Sequence, residues 1–225
     1  LPRLGIAFDE LHAISRQITG SSAKARLTIS APASIVSGWL SHRIGDFMSR
    51  FNIHNISLRS DNDPINFDQN GIDIRMSYGR FHYRTHDTSE IAVDTIYAVC
   101  TPDFLAKNAP MELDKTPLIH TEWGPASASF ATWRDWFETA KIPMGNQASS
   151  GIIADTSMAA IRLATNGLGV CLVQGLMLEN LLRNQILVIA HPLSLSRSQP
   201  YCLTIPQRSA NRPVVQQFRD WLLDS

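Results

Sequence analysis

Residues 26–51 read RLTISAPASIVSGWLSHRIGDFMSRF, and this stretch decides the fold class of the chain. Leu27 and Ile29 alternate with polar residues, which predicts a β-strand over residues 26–30. The turn at Ala31-Pro32 ends the strand, and apolar residues at helical spacing follow it. These residues are Ile35, Trp39, Leu40, Ile44, Phe47, Met48 and Phe51. A strand followed at once by an amphipathic helix is the repeating unit of an α/β fold.

The rest of the chain repeats this alternation of strands and helices. Further strands are predicted at residues 53–58, 72–76, 91–93, 96–100, 117–121, 169–173, 186–189 and 201–205. Helices are predicted after Thr101, over residues 131–141, after a cap at Asp155 and from Pro213 onward. This alternation implies largely parallel sheets with right-handed crossovers. About 200 residues suit two small Rossmann-like lobes better than one deep core.

The charge balance and the cysteines limit the function classes. The 225 residues include 20 basic and 20 acidic side chains, so the formal net charge is zero. A neutral chain is a poor nucleic-acid binder by itself, because such binding needs a basic surface. No apolar run approaches the ~20 residues that cross a bilayer. Cys100, Cys171 and Cys202 each lie in an apolar run, which predicts buried free thiols and a reducing, cytoplasmic compartment.

The first 24 residues form a separate element in the sequence pattern. Its apolar residues follow the a/d spacing of a coiled coil, and they are Leu1, Leu4, Phe8, Leu11 and Ile18. An amphipathic helix packed on its own domain fits this spacing equally well. Gly20 ends the predicted helix, and residues 21–24 are predicted to be a linker. Because the chain begins at Leu1 without an initiator Met, we expect it to be part of a longer protein.

Signatures of catalysis and of metal binding are mostly absent from the sequence. There is no Walker loop, no dinucleotide glycine fingerprint and no GxSxG elbow. His82 and His86 are four residues apart, but no Cys or acidic residue stands at ligand spacing from them. Two interpretations stay open for four arginines, namely an anion site or solvated strand ends and loops; they are Arg59, Arg75, Arg80 and Arg84. We therefore expect no enzyme, no cofactor and no metal.

Small polar residues occupy the positions where α/β proteins bind ligands. Such ligands lie beyond the carboxyl ends of strands, next to the N-termini of helices. Ala33-Ser34, Ser60-Asp61, Thr101 and residues 149–155 hold these positions in the sequence. Two interpretations of Ser34 stay open: its hydroxyl either only caps its own helix or belongs to a helix end that binds an anion. A crevice rich in hydroxyl groups favours a small polar ligand.

Several phrases of the sequence, taken together and in order, carry a family resemblance. They are LTISAPASIVSGWLSHRIGDF, NGIDIRMSYG, IYAVCTPDFL, LIHTEWG with TWRDWF, DTSMAAIRLATNGLGVCLV and PVVQQFRDWL. With them, essentially the whole chain resembles the effector-binding part of LysR-type transcriptional regulators. The phrase GIDI-x-x-x-YG and the paired-Trp segment are most similar to the branch that contains the glycine-cleavage and β-lactamase regulators and the D-serine deaminase activator.

The resemblance implies a type 2 periplasmic-binding-protein-like α/β fold, with two Rossmann-like lobes joined by two crossover strands. Lobe I is expected at residues 25–100 plus 206–225 and lobe II at 101–205, with the crossovers near Cys100-Thr101 and Ile205-Pro206. Residues 1–24 are then the end of a linker helix. A winged helix-turn-helix is expected upstream of this chain, so that promoter DNA is bound by the full-length protein only.

The resemblance also implies a function and a set of contacts. The chain is expected to sense a small polar effector, an amino acid or a carboxylate, between its lobes, and to form a homodimer or homotetramer through the helices at residues 35–51 and 176–184. No membrane partner is expected. The effector contacts carry over by position to Ala33, Ser34, Ser60, Asp61, Thr101, His120, Ser149, Ser150, Gly151 and Asp155.

Two other function classes remain as alternatives. A solute-binding protein of a transporter shares this fold, but the sequence shows no export signal. An enzyme of small-molecule metabolism on the same scaffold would need a nucleophile and base or a metal set, and neither is evident.

Overall fold

A computed structural model of the chain describes residues 26–122, 131–146, 148–196 and 199–224. The predicted linker helix and linker over residues 1–24 lie outside these described residues. The described strands are β1 Arg26–Ala31, β2 Asn55–Ser60, β3 Ile74–Tyr78, β4 Asp87–Ala92, β5 Thr95–Cys100, β6 Leu118–Thr121, β7 Gly151–Ala154, β8 Val170–Gln174, β9 Val188–Ser196 and β10 Tyr201–Ile205.

Helices connect most of these strands. The described α-helices are α1 Ala33–Ile35, α2 Ser41–Phe51, α3 Phe67–Asn70, α4 Pro102–Lys107, α5 Trp133–Ala140, α6 Ser157–Thr165, α7 Glu179–Arg183, α8 Gln207–Ala210 and α9 Pro213–Leu223. A π-helical stretch, Val36–Leu40, joins α1 to α2 in one continuous helical run. Three 3₁₀ turns lie at Phe81–Tyr83, Leu113–Lys115 and Gly175–Met177.

The strands form two five-stranded mixed sheets. The first has the order β2-β1-β3-β10-β4 and the second the order β7-β6-β8-β5-β9. In the first sheet, β1 pairs in parallel with β2 and β3, whereas β10 is antiparallel to its neighbours. In the second sheet, β6 pairs in parallel with β7 and β8, whereas β5 is antiparallel to its neighbours. The two predicted α/β lobes are present, but the sheets are mixed rather than largely parallel.

The chain crosses between the sheets earlier than the sequence predicts. The strand β5 was expected in lobe I and lies in the second sheet, and β10 was expected in lobe II and lies in the first. The crossovers near Cys100-Thr101 and Ile205-Pro206 are therefore wrong. The described residues of lobe I fall within 26–92 and 201–224, and those of lobe II within 95–196. Both strands are apolar and largely buried, and this composition is typical of strands in the middle of a sheet. It does not indicate which of the two sheets each strand joins.

The core of lobe I contains an aromatic cluster between two of its helices. Phe47 of α2 packs against Phe218 and Trp221 of α9, with ring centroids 5.2 and 5.3 Å apart. The Nε1–H of Trp221 donates to Asp46 at 2.9 Å, so the indole is both packed and hydrogen-bonded. The predicted apolar stripe of residues 35–51 is thus confirmed as the face that covers this sheet.

The second sheet carries an apolar layer on each face. On one face, α5 contributes Trp133, Trp136 and Phe137, all of them buried. On the other face, α6 packs against β6 and β8. Thr132 begins α5 with a capping box, in which Asp135 is the reciprocal partner. The predicted helix with paired tryptophans is confirmed.

Two helix starts differ from the predictions. Pro32, not Ser34, is the N-cap of α1, and its carbonyl accepts from the N–H groups of Ile35 and Val36. Thr156, not Asp155, caps α6, and its Oγ1 accepts from the Ala159 N–H at 3.2 Å. In each case several good capping residues stand together, and the chain path decides which of them caps.

The three cysteines are buried free thiols, as predicted. Burial raises the pKa of the Cys100 thiol to about 11, and burial together with the neighbouring Cys100 raises that of Cys171. Within the described residues, no helix has the length and apolar character needed to span a membrane.

Candidate functional site between the two lobes

The lobes meet at the carboxyl ends of their parallel strands. Gly38, in the π-helical stretch after β1, has no side chain, and a Cβ there would lie 3.1 Å from Met177 Cγ and 3.2 Å from Met158 Sδ of lobe II. Asp94, between β4 and β5, accepts from the Leu176 N–H at 3.3 Å. Met158 follows β7, and Leu176 and Met177 follow β8. The carboxyl-end edges of the two sheets therefore adjoin each other.

Five of the predicted site residues lie at these adjoining edges. Ala33 and Ser34 form the first turn after β1, Ser60 ends β2 and Asp61 follows it. Asp155 follows β7 on the lobe II side, where it is exposed just before the cap of α6. Ala33 and Ser60 are also exposed, and Ser34 is half-buried.

Asp61 lies at the edge, but its carboxylate already has partners. Its Oδ2 accepts from the Ser30 hydroxyl at 2.8 Å and its Oδ1 from the Arg59 guanidinium at 3.2 Å. Its backbone N–H donates to the Ala31 carbonyl at 3.1 Å. Asp61 thus fixes the loop after β2, and its role as an effector contact stays a prediction.

A buried ion pair lies beneath this loop. The Arg75 guanidinium, fully buried, contacts the Asp63 carboxylate at 2.9 Å. It also donates to the Ser30 hydroxyl at 2.8 Å and to the Asp61 carbonyl at 3.0 Å. The sequence left Arg75 open between an anion site and a solvated strand end, and both are wrong. The signal that was available is an arginine inside the otherwise apolar strand β3, because a buried charge needs a partner.

Tyr83 completes this network. Its hydroxyl donates to Asp63 Oδ1 at 2.5 Å and accepts from the Ile65 N–H at 3.0 Å. Burial, and then the hydrogen bond to Asp63, raises the pKa of Tyr83 to about 12. The side chains of Tyr83, Asp63 and Arg75 therefore hold the loop at residues 60–64 in one conformation.

Thr101 lies at the opposite edge of lobe II, away from the interlobe edges, and its assignment as an effector contact stays a prediction. It follows the carboxyl end of β5, but β5 runs antiparallel to β8, with Val99 opposite Cys171 near the start of β8. The Thr101 Oγ1 accepts from the Phe104 N–H at 3.2 Å and caps α4, as predicted. The sequence showed a helix start after a strand but not the direction of that strand in its sheet.

Ser149, Ser150 and Gly151 also lie away from the interlobe edges. Gly151 begins β7 opposite Leu118 at the start of β6, so this turn is at the amino ends of the parallel strands. The three residues line a cavity of about 440 Å³ in lobe II, which extends to Thr121 and Glu122 at the carboxyl end of β6. His120, from β6, lines the same cavity. These four predicted residues are thus together, but not at the edge where the sequence placed them.

The described residues contain no group of three or more His, Cys, Asp or Glu side chains that could hold a metal ion.

Comparison with known proteins identifies the family. The sequence profile described as "LysR substrate binding domain" matches residues 20–225. The HTH-type transcriptional activator AmpR of Pseudomonas aeruginosa is 25% identical over 226 residues, covering 100% of this chain and 74% of that protein. The HTH-type transcriptional regulator PerR of Escherichia coli is 26% identical over 222 residues, covering 96% of this chain and 71% of that protein.

A third relative belongs to the branch that the sequence phrases indicated. The glycine cleavage system transcriptional activator of Escherichia coli is 23% identical over 218 residues, covering 96% of this chain and 70% of that protein. These relatives are transcription regulators, which confirms the prediction that the chain is not an enzyme.

Two solved structures show the same fold. The effector domain of AmpR from Pseudomonas aeruginosa has a TM-score of 0.69 at 24% identity, covering 88% of this chain and 94% of that one. Full-length CrgA from Neisseria meningitidis, a LysR-type transcriptional regulator, has a TM-score of 0.68 at 17% identity, covering 99% of this chain and 76% of that one. The predicted type 2 periplasmic-binding-protein-like fold is confirmed, and the chain belongs to the LysR substrate-binding domain family.

Proposed function

We propose that this chain is the effector-sensing and oligomerisation part of a LysR-type, DNA-binding transcriptional regulator, and that it binds a small amino acid or carboxylate between its lobes. One observation carries the proposal. The carboxyl-end edges of the two sheets adjoin each other, and a helix begins at each edge. In α/β proteins, this position beyond the carboxyl ends of the strands is where ligands bind.

The lobe I side of this position suits a carboxylate. The N–H groups of Ile35 and Val36 bond to the Pro32 carbonyl, whereas no described residue accepts a hydrogen bond from the N–H of Ala33 or Ser34. These two N–H groups begin a helical run that continues to Phe51. Backbone N–H groups at such a helix start attract an anion through hydrogen bonds and the helix dipole.

The lobe II side of this position suits an ammonium group. Asp155 is exposed after β7, and the cap of α6 is provided by Thr156 instead. The Asp155 carboxylate is thus available to a cation. A ligand with a carboxylate at Ala33 and Ser34 and an ammonium at Asp155 bridges the two lobes, which favours a small amino acid.

The regulatory step follows from linkage. An effector shifts the arrangement of the lobes only if it binds one arrangement more tightly than the other. The shift then changes how subunits pack in a dimer or tetramer, and with it the spacing of winged helix-turn-helix domains outside this chain. Relatives named as HTH-type regulators, matched over about three quarters of their length, support a DNA-binding part outside the matched region. The three buried free thiols support a cytoplasmic location.

A thermal-shift screen of amino acids and organic acids tests the proposal. We expect a small amino acid to raise the melting temperature, and its affinity is then measured in two variants. Ala33→Pro removes one N–H at a helix position that tolerates proline, and Ser34→Ala removes only a hydroxyl. Ala33→Pro is expected to weaken the best ligand by about tenfold, the value of a charge-assisted hydrogen bond.

The matched control for Ala33→Pro is Gln207→Pro. Gln207 also follows a proline N-cap without a side-chain hydrogen bond, but it begins α8 after β10, at the far end of lobe I. Gln207→Pro is expected to leave ligand affinity unchanged. A screen in which only large apolar compounds stabilise the chain would contradict the proposal. So would a best ligand that binds the unsubstituted chain and the Ala33→Pro variant with equal affinity.

A further inference from the structure

One turn of lobe II belongs to the cores of both lobes. It is the 3₁₀ turn Gly175–Met177, which follows the carboxyl end of β8. The side chain of Leu176 packs against the apolar core of lobe I, whereas that of Met177 is buried in the core of lobe II. Two neighbouring residues are thus held by different lobes. Any movement of one lobe relative to the other has to be accommodated around this turn.

A chain connection between the lobes is bonded to the same turn. Asp94 lies in the connection from β4 to β5, and both oxygens of its carboxylate accept from the Leu176 N–H at 3.3 Å. Its Oδ1 also accepts from the Thr95 N–H at 2.7 Å. A Cβ at Gly175 would lie 3.0 Å from this Oδ1, so glycine leaves room for the carboxylate. The connection and the turn are therefore held together as one unit.

Beside this unit, the backbone of lobe I lies directly on side chains of lobe II. A Cβ at Gly38 would lie 3.1 Å from Met177 Cγ, and 3.2 Å from both Met177 Sδ and Met158 Sδ. Carbon atoms in contact are usually about 3.5–4.0 Å apart, so the space beside Gly38 holds no side chain. Close approach of the backbone to a neighbour is one reason for glycine at a position.

The two side chains that meet Gly38 are both methionines. Met158 is partly buried and Met177 is buried. Methionine is unbranched and has a polarizable sulfur, so it changes rotamer easily and keeps contact with a partner that moves. A stiff β-branched side chain at either position would favour a single arrangement of the lobes. Glycine against two methionines is therefore a contact that tolerates rotation of one lobe on the other.

This contact lies next to the proposed effector position. Gly38 follows Ser34 by four residues in one continuous helical run, and Met158 follows Asp155 by three residues at the start of α6. A ligand that bridges Ser34 and Asp155 thus acts on the same two helix starts that meet at Gly38.

We propose that Gly38, Met158 and Met177 form a pivot on which the two lobes turn, with the turn Gly175–Met177 and Asp94 as its fixed part. Movements of this kind are absorbed by a few residues at the ends of elements and by small sliding of packed helices. The pivot is a property of the chain alone. Its regulatory meaning rests on the proposed function, because an effector selects one arrangement of the lobes only by binding it more tightly.

The distance between spin labels on the two lobes, measured by pulsed EPR without any ligand, tests the pivot. The labels are attached at Ser49→Cys on α2 and Arg162→Cys on α6, both exposed positions, and the labelled chain is diluted with unlabelled chain. The native cysteines are buried, so they are expected to take up no label. Gly38→Leu is expected to lengthen the main distance by about 2 Å or more, because the contact has no room for its side chain.

Two further variants separate the pivot from a general effect of the substitution. Gly45→Leu is the matched control, because Gly45 lies in the same helical run and a Cβ there meets no described atom within 4 Å. It is expected to leave the distance unchanged. Gly38→Leu combined with Met177→Ala moves side-chain volume from lobe II to lobe I and is expected to restore the original distance. An unchanged distance in Gly38→Leu, or equal shifts in the two Leu variants, would overturn the proposal.

A smaller substitution decides the matter if Gly38→Leu does not fold. In Gly38→Ala, residual dipolar couplings of backbone amides measure the relative orientation of the two sheets, which is expected to change, whereas Gly45→Ala is expected to keep it. Equal orientations in the two Ala variants would contradict the pivot. Because no ligand is present, this result would leave the proposed function standing, and a failed amino-acid screen would leave the pivot standing.

Discussion

The carboxyl-end region of lobe I and the cavity region of lobe II treat buried polar groups in opposite ways. In lobe I, the Asp63 carboxylate accepts from both Arg75 and Tyr83, and Arg75 also donates to Ser30, so each of these three side chains has a partner. In lobe II, His120 lies beside an open cavity, and its Nε2 has no partner in the described residues.

The difference affects stability. A buried charge that is already paired has nothing left to offer a ligand, but it holds its loop rigidly. An unpaired buried nitrogen contributes little to stability, and its hydrogen-bonding capacity is not used by the described residues. The polar groups of lobe I are therefore expected to matter more for folding than the histidine of lobe II. Three substitutions test this contrast, in order of expected effect.

Asp63→Ala is expected to lower the free energy of unfolding by about 3–5 kcal/mol, because it leaves the Arg75 guanidinium buried without a counter-ion. Urea denaturation measures the change. Asp68→Ala is the control, because Asp68 is almost fully exposed and its carboxylate is in a loose ion pair, 3.7 Å from Arg208 Nε. This substitution is expected to change the free energy of unfolding by less than about 0.5 kcal/mol. Equal effects of the two substitutions would show that the network is not structural.

Tyr83→Phe is expected to cost about 1–2 kcal/mol at neutral pH, because it removes the hydrogen bond to Asp63. The cost also depends on pH. The pKa of Tyr83 is about 12 in the folded chain, against an ordinary value of 10.0. The neutral hydroxyl thus stabilises the fold fully below pH 10, and this contribution is lost as pH rises from 10 to 12.

Denaturation of the chain and of Tyr83→Phe at pH 8 and pH 11 measures this dependence. The stability difference between them is expected to shrink at pH 11. A difference that stays constant or grows would mean that Tyr83 is not held neutral by its surroundings.

His120→Phe is expected to leave stability unchanged or to raise it by up to about 1 kcal/mol, since it replaces an unpaired buried nitrogen by an apolar ring. This change in the free energy of unfolding has the opposite sign to the change expected for the two lobe I substitutions. A loss of more than about 1 kcal/mol in urea denaturation would show that the imidazole has a structural partner after all.

Much of the fold was predictable because local patterns suffice for it. The apolar stripe of residues 35–51, the helix with paired tryptophans and the cap at Thr101 all follow from spacing and capping residues. The strand β7 was missed, because Ile152 and Ile153 are partly exposed on an edge strand and lack the alternation of a half-buried one.

The candidate site was only partly predictable. Ala33, Ser34, Ser60 and Asp155 follow parallel strands, and the rule for carboxyl ends placed them correctly at the interlobe edges. Thr101 follows an antiparallel strand, so the same rule put it at the wrong edge. The direction of a strand depends on which neighbour it pairs with, and that pairing is a long-range contact.

The sequence by itself determined the alternation of strands and helices, the apolar faces, the helix caps within a residue or two and the family, because these depend on residues close together in the chain. Only the tertiary structure decided that β5 and β10 cross between sheets, that Arg75 is paired beneath the loop after β2, and that His120 meets Gly151 beside a cavity. Each of these depends on segments far apart in sequence, which come together only when the whole chain packs.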